Sequence, residues 1–336
     1  MKLGRRGFWG HIGISRFLQW RFNTYLMMIL PLAWMQAYIG ALGKIYFYFN
    51  RVENRIIRRN IGLVIGRYES DHSMQRLIQL TFAGIFTHYA EKLFMAYSKF
   101  RKTCLFLNRH VSLVGRDILD KALARGKGVI LVTGHYGAVE FLPLALALNG
   151  YTVTMLLRFK TEKLKRTLIR RSAGLPITLI DVDEGRGVLF EALKALKSNQ
   201  IIITECDEFE EWRPCKHRHN RFLGHDVPFD RTLEMLQRRS KSPAIMGMVQ
   251  RQSGLRYKLG LHSLNGKKSN KKEAVSISQK ALEILERYIF EAPYQWYQWK
   301  EASHILHSEI IKEPRPIRAA KKDRQLPFEN APVHAF

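Results

Sequence analysis

A chain of 336 residues, 46% of them hydrophobic, can bury a full core, which excludes a disordered chain and suits one large α/β domain or a domain with appendages. Lys and Arg number 55 against 29 Asp and Glu, a formal charge of +26, so the expected partner is polyanionic: nucleic acid, an anionic membrane, or an acidic protein or substrate. Three cysteines, Cys104, Cys206 and Cys215, are odd in number and lack CxxC spacing, which argues against a disulfide scaffold and for a reducing compartment.

In chain order, the first element is apolar. Phe22 to Gly43 contains no charged residue and has about the ~20 residues needed to cross a bilayer. Lys2, Arg5, Arg6, Arg16 and Arg21 precede it, and Lys44, Arg51, Arg55, Arg58 and Arg59 follow, with Glu53 the lone acid nearby. A cleavable signal peptide fits poorly, because no small-residue site precedes the aromatic run "IYFYF". Basic residues on both flanks suit a retained segment that dips into the cytoplasmic leaflet or spans with a very short outer end. A buried core helix interrupted at Pro31 is the alternative. Residues 50–125 read as helical, with "SMQRLIQLTFAGIFTHYAEKLFMAY" the clearest amphipathic stretch.

From about residue 126 the pattern changes. "GVILVTG", "YTVTMLLR", "PITLIDV" and "QIIITECD" are short β-branched runs, separated by the helical stretches "FLPLALALNG", "EKLKRTLIRRSAG" and "GVLFEALKALKSN". That alternation predicts a mostly parallel central sheet flanked by helices, an α/β fold, and the near-continuous apolar runs fit strands covered on both faces. "AIMGMVQ" and "RYKLGLH" are further candidate strands, and a helix runs through "AVSISQKALEILERYIF". "NGKKSNKKE", with four lysines, reads as an exposed turn, the stretch from Ile311 onward as a basic, loose tail, and no internal repeat is visible.

The segment "VTGHYGAVEF" places His135 and Glu140 five positions apart. Spacing alone is weak, since His225 and Asp230, and His304 and Glu309, show the same separation. Only His135 lies just past a predicted buried strand, at the carboxyl edge where open α/β sheets bind ligands. Gly134 and Gly137 bracket it and would let the backbone turn sharply. Arg158, Asp181 and Asp207 also end predicted strands, so a parallel sheet would gather them on the same rim.

Chemically, a neutral histidine bonded to a carboxylate can take the proton from a hydroxyl as that oxygen attacks an acyl carbon, while the acid fixes the tautomer and stabilises the imidazolium. No G-x-S-x-G elbow is present, so His135 would act directly on the acceptor hydroxyl. Backbone N–H groups near Gly137, and Arg158, are the oxyanion donors that this reading suggests.

Taken together, these blocks resemble the bacterial lipid A late acyltransferase family, the lauroyl and myristoyl transferases among the HX4D/E acyltransferases. "NRVENRIIRRNIGL" is similar to the family's basic segment leading to an Asn, here Asn60, and "GVILVTGHYGAVEF" to its strand and HX4E block. "LLRF" and "TECDEF" fall where the family has a strand-ending Arg and Asp, "RFLGHDVPFDRT" where it has a Phe-Φ-Gly block, and "APYQWYQWK" where it has a Pro-x-Gln-Trp signature. The resemblance implies a glycerol-3-phosphate acyltransferase-like fold, with His135 as general base oriented by Glu140, and Arg158 and Asp207 organising the site. It divides the chain into 1–45, a basic N-terminus and membrane-anchoring helix, 46–310, the acyltransferase domain, and 311–336, the tail.

The implied donor is an acyl carrier protein thioester, and the implied acceptor a hydroxyl of a membrane glycolipid at the cytoplasmic face of the bacterial inner membrane. The basic surface suits an anionic membrane and the acidic carrier, with Lys163, Lys165, Arg166, Arg170 and Arg171 as one docking face. The charged run "EFEEWRPCKHRHNRFLG" departs from a lipid A enzyme and leaves the acceptor open between a lipid A precursor and a related lipid. No cofactor is expected. A metal site drawn from Cys215, His217 and His219 matches no common zinc spacing. Nucleic acid is not expected either, because no binding motif accompanies the spread-out charge.

Overall fold

In the computed structural model, residues 21–66, 71–157, 162–184, 187–209, 218–265 and 275–306 are described. The apolar N-terminal stretch is not one helix. Pro31 lacks the N–H that would continue the ladder, so the chain forms α1 (Arg21–Ile29) and α2 (Leu32–Phe49), followed by α3 (Arg51–Ile65). The expected single helix is thus corrected to two, and among the described residues no helix is long and apolar enough to cross a membrane.

One face of α2 is core. Met35, Ile39, Gly43 and Phe47 recur at helical spacing and are buried, against α4 (Asp71–Tyr97). Gly43 is required there, because a Cβ would overlap the Phe86 ring, and Phe47 packs on Phe82 with centroids 3.9 Å apart. The opposite face leaves Tyr25, Met28, Ile29, Trp34, Ile45, Tyr48 and Phe49 exposed.

Helix α5 (Phe100–His110) then leads into β1 (Val111–Val114), a strand inside a region expected to be helical. Its four residues are too few to show a period, and tertiary pairing with β9 (Tyr257–Ser263) decides its conformation. After α6 (Arg116–Leu123) come β2 (Val129–Thr133), α7 (Leu142–Leu148), β3 (Val153–Leu157), α8 (Glu162–Ser172), β4 (Ile177–Asp181), α9 (Val188–Lys197) and β5 (Ile201–Glu205). The hairpin β6 (His219–Phe222) and β7 (His225–Pro228), then α10 (Arg231–Ser240), β8 (Ala244–Arg251), β9 and α11 (Ile277–Glu291) follow.

The seven-stranded sheet has the order β1-β9-β8-β2-β5-β3-β4. β8, β2, β5, β3 and β4 run parallel; β9 is antiparallel to β8, and β1 follows β9. This is the mostly parallel α/β sheet expected from the alternation. β2, "VILVT", lies near its centre and is buried at every residue, as a strand covered on both faces must be. Five strands therefore end on one edge, with β2 between β8 and β5.

Candidate active site

His135 follows the last residue of β2 by two positions and meets groups from the strands on either side. Thr133 is in register with Glu205 of β5, and the Cys206 N–H donates to the Thr133 carbonyl, so the ladder runs on past the strand ends. Glu205 and Asp207 are two residues apart and so point to one side. Both reach His135: Asp207 Oδ1 lies 2.9 Å from Nδ1, and Glu205 Oε2 lies 3.5 Å from Nε2.

Asp207 is held from three directions. Its carboxylate accepts the backbone N–H of His135 at 3.0 Å and the Trp296 indole N–H at 2.9 Å, besides the imidazole. Trp296 is buried and supported in turn by Phe222 of the β6–β7 hairpin, at 5.7 Å between centroids. Leu223 and Gly224, both at positive φ, form the two-residue turn of that hairpin.

The electrostatics follow from this enclosure. Burial alone would depress the pKa of His135, but Glu205 and Asp207, the hydrogen bond to Asp207, and Glu208 push it up to about 10. Burial alone would raise Asp207, yet the His135 charge and the hydrogen bonds from His135 and Trp296 leave it below its ordinary value. At neutral pH the free site is therefore an imidazolium–carboxylate pair. His135, Glu205 and Glu208 also bring one ligand atom each within 4.8 Å of one another, a grouping that could take a cation. Such an ion would occupy the lone pair that a base needs.

Glu140 is not the partner of His135. The 3-10 turn Val139–Phe141 carries it toward α4, where Oε1 lies 3.0 Å from Lys92 Nζ and 4.0 Å from His88 Nε2. The expectation that Glu140 orients the imidazole is thus corrected: the adjacent strand β5 delivers Asp207 to Nδ1. Asp181 is not at the site either. β4 is the edge strand, three places from β2, and Asp181 instead pairs with Lys165 at 2.8 Å. Arg158 lies outside the described residues, as do Cys215 and His217.

The expectation for backbone donors near Gly137 also fails. The Gly137 N–H donates to the Gln295 carbonyl at 2.9 Å and the Ala138 N–H to the Val249 carbonyl at 2.9 Å. These bonds fix the loop against the C-terminal segment and β8, and Gly137, at φ +60°, has no room for a Cβ beside the Val249 carbonyl. Arg251 ends β8 and strengthens the same junction. It grips Glu91 of α4 with two hydrogen bonds of 2.8 Å and donates to the Gly137 carbonyl at 2.7 Å. Both partners are buried.

An aromatic layer completes the wall. The ring of His88 stacks on Tyr297 at 3.7 Å, and Tyr297 meets the edge of His135 at 5.4 Å. Burial, then the charges of Lys92 and Arg251, hold His88 well below its ordinary pKa, so it is neutral. Asn60 is buried, and its amide donates to the Trp299 carbonyl at 2.7 Å and to Ser303 Oγ at 2.9 Å, tying α3 to residues 299–303. Of the basic docking face on α8, Lys165 is committed to Asp181, and Arg171 donates to the carbonyls of Ala96 and Ser98. These two are structural, and Arg170 stays exposed.

Sequence reasoning missed Glu205, His88, Lys92 and Tyr297. Glu205 carried a signal, being two residues before Asp207 on a strand. His88 and Lys92, spaced i and i+4, share one face of α4.

A sequence model of the family described as bacterial lipid A biosynthesis acyltransferase matches residues 14–301. No curated protein sequence matches the chain. Among solved structures, the chain is similar to the 1-acyl-sn-glycerophosphate (LPA) acyltransferase PlsC from Thermotoga maritima, at 15% identity and a TM-score of 0.34, covering 78% of this chain and 99% of that one. A likeness that distant carries no argument about chemistry.

Proposed function

The chain belongs to the bacterial lipid A biosynthesis acyltransferase family and is an acyltransferase, and from that premise we propose that it moves a fatty acyl chain from an acyl carrier protein thioester to a hydroxyl of a membrane glycolipid, with His135 as general base. The observation that carries the assignment is the pairing of His135 Nδ1 with the buried Asp207 carboxylate at 2.9 Å. That bond puts the Nδ1 proton between the two groups and leaves Nε2 as the atom that accepts a proton. Asp207 orients the ring and stabilises the imidazolium, the role of the acid in a serine triad.

The reaction then needs only the acceptor's oxygen. As the hydroxyl proton passes to Nε2, the oxygen attacks the thioester carbon. Collapse of the tetrahedral intermediate expels the thiolate, which takes the proton back from the imidazolium. Removing a positioned base costs on the order of 10²–10⁴ in rate.

Membrane contact is the second part of the proposal. The exposed apolar face of α1 and α2 carries Tyr25, Ile29, Trp34, Tyr48 and Phe49, and α3 beside it carries Arg51, Arg55, Arg58 and Arg59. An apolar face with aromatic residues and adjacent cations suits a helix pair lying in the interface of an anionic leaflet, so that the acceptor is reached from the cytoplasmic side of the inner membrane. The test is to incubate the purified full chain with isotope-labelled acyl carrier protein thioester and total bacterial glycolipid, then weigh the products. A new ester on a glycolipid, with free carrier thiol released in equal amount, is expected. Thioester hydrolysis alone, or no consumption, would contradict the assignment.

A further inference from the structure

An oxyanion forms on the acyl carbonyl whenever an alcohol attacks a thioester, and it needs a donor. Around His135, among the described residues, the backbone donors of the loop and the Trp296 and Gln295 side chains are engaged. The N–H groups of residues 135 to 138 donate, in order, to the Asp207 carboxylate, the Gly134 carbonyl, the Gln295 carbonyl and the Val249 carbonyl. The Trp296 indole holds Asp207. The Gln295 amide is locked to the backbone of Arg251 in both directions, and Arg251 is tied through Nε and Nη2 to Glu91 and Gly137, with its Nη1 buried and unpaired.

Lys92 differs from the buried Arg251 in reaching the open side of the site. It projects from α4 with its side chain 47% exposed, and among the described residues its one hydrogen-bonding partner is Glu140, at 3.0 Å. An ammonium has three donors, so two stay available. A run of contacts connects it to His135. Glu140 touches Lys92 and approaches His88, His88 stacks on Tyr297, and Tyr297 meets His135. The Glu205 carboxylate, 3.5 Å from His135 Nε2, also acts on Lys92.

We propose that the Lys92 ammonium is the cation that stabilises the oxyanion in this transfer, and that Glu140 acts by holding Lys92. This deepens the proposed function and rests on it. Electrons of the carbonyl π bond move to oxygen as the acceptor's C–O bond forms, and Lys92 balances that charge. They return to the carbonyl as the C–S bond breaks, so Lys92 gains and loses no proton. Glu140 is then a positioning residue, and the neutral His88 separates the ammonium from the imidazolium without adding a third charge.

The experiment compares wild type, Lys92→Met, Lys92→Arg, Glu140→Gln and the double variant Lys92→Met with Glu140→Gln, using full-length protein and a dodecanoyl acyl carrier protein thioester. Methionine keeps the apolar stem of a half-exposed side chain, and thermal midpoints check folding. Removing one oxyanion donor costs about 10²–10³ in kcat, so Lys92→Met is expected to lose about that much with KM little changed, Lys92→Arg to recover part of it, and the double variant to be no slower than Lys92→Met. Wild-type kcat in Lys92→Met would overturn the proposal, as would a Glu140→Gln loss that persists in full in the Lys92→Met background. Should Lys92→Met unfold, an uninhibited, folded Lys92→Gln would overturn it equally, and a slow one would support it. Absence of transfer by wild type is a different failure, which removes the proposed function itself.

Discussion

Neutralising Glu205 should move the pH dependence of catalysis toward neutrality. His135 has a pKa of about 10 in the free protein, so at pH 7.5 only about 0.3% of it is in the basic form. Glu205 lies 3.5 Å from Nε2; at an effective dielectric of about 20, Coulomb's law gives about 5 kcal/mol at that separation. Glu205 is 31% exposed, and solvent screening reduces the interaction to roughly 1.4–2.7 kcal/mol, a fall of about 1 to 2 in the pKa. Glu205→Gln keeps the shape and removes the charge, so kcat/KM at pH 7.5 should rise about ten-fold to nearly a hundred-fold. The inflection in kcat/KM reports the free enzyme, and an NMR titration of the His135 ring gives the same pKa without turnover. An inflection that stays near the wild-type value in Glu205→Gln would refute this electrostatic picture.

The imidazolium–Asp207 pair also links stability to pH. The pKa of His135 is raised above its ordinary 6.5 to about 10, so the native state holds its proton more tightly. The stability this contributes is fully present below about pH 6.5 and is lost as pH rises through about 10. Asp207 is shifted the other way: its contribution is present above 3.8 and is lost as pH falls through its lower folded value. Chemical denaturation from pH 6 to 10 should show a decline in wild type that is absent in His135→Gln; parallel curves would contradict it. Gly137→Ala should destabilise the fold by about 2–4 kcal/mol, because φ +60° and the overlap with the Val249 carbonyl are both imposed on the alanine. A thermal midpoint equal to wild type would mean that the loop does not depend on that close approach.

The fold was legible where the sequence period was strong. β2, β3, β4 and β5 fall on the β-branched runs, and α4 on the clearest amphipathic stretch. β1 was not legible, since four residues between helices have no period of their own and take their conformation from β9. The site was legible as a set of strand ends, and its pairing was not. Which acid meets His135 depends on which strand lies beside β2, and a chain read in order does not reveal that β5, and not β3 or β4, is its neighbour. Asp207 and Asp181 look alike in sequence for that reason, and only one reaches the imidazole. Glu140 misled because proximity in sequence stood in for proximity in space: a 3-10 turn points it at Lys92. In the apolar N-terminal stretch the break at Pro31 was legible, while the burial of Met35, Ile39, Gly43 and Phe47 depends on packing against α4, which lies far along the chain.

The most direct test of the central claim is the rate of acyl transfer from a labelled acyl carrier protein thioester in membranes carrying equal amounts of wild type, His135→Ala and Asp207→Asn. The account predicts that His135→Ala loses on the order of 10²–10⁴ in rate, that Asp207→Asn loses a comparable amount because the ring is no longer held in the required tautomer, and that all three stay membrane-bound. Transfer by His135→Ala at the wild-type rate would contradict it.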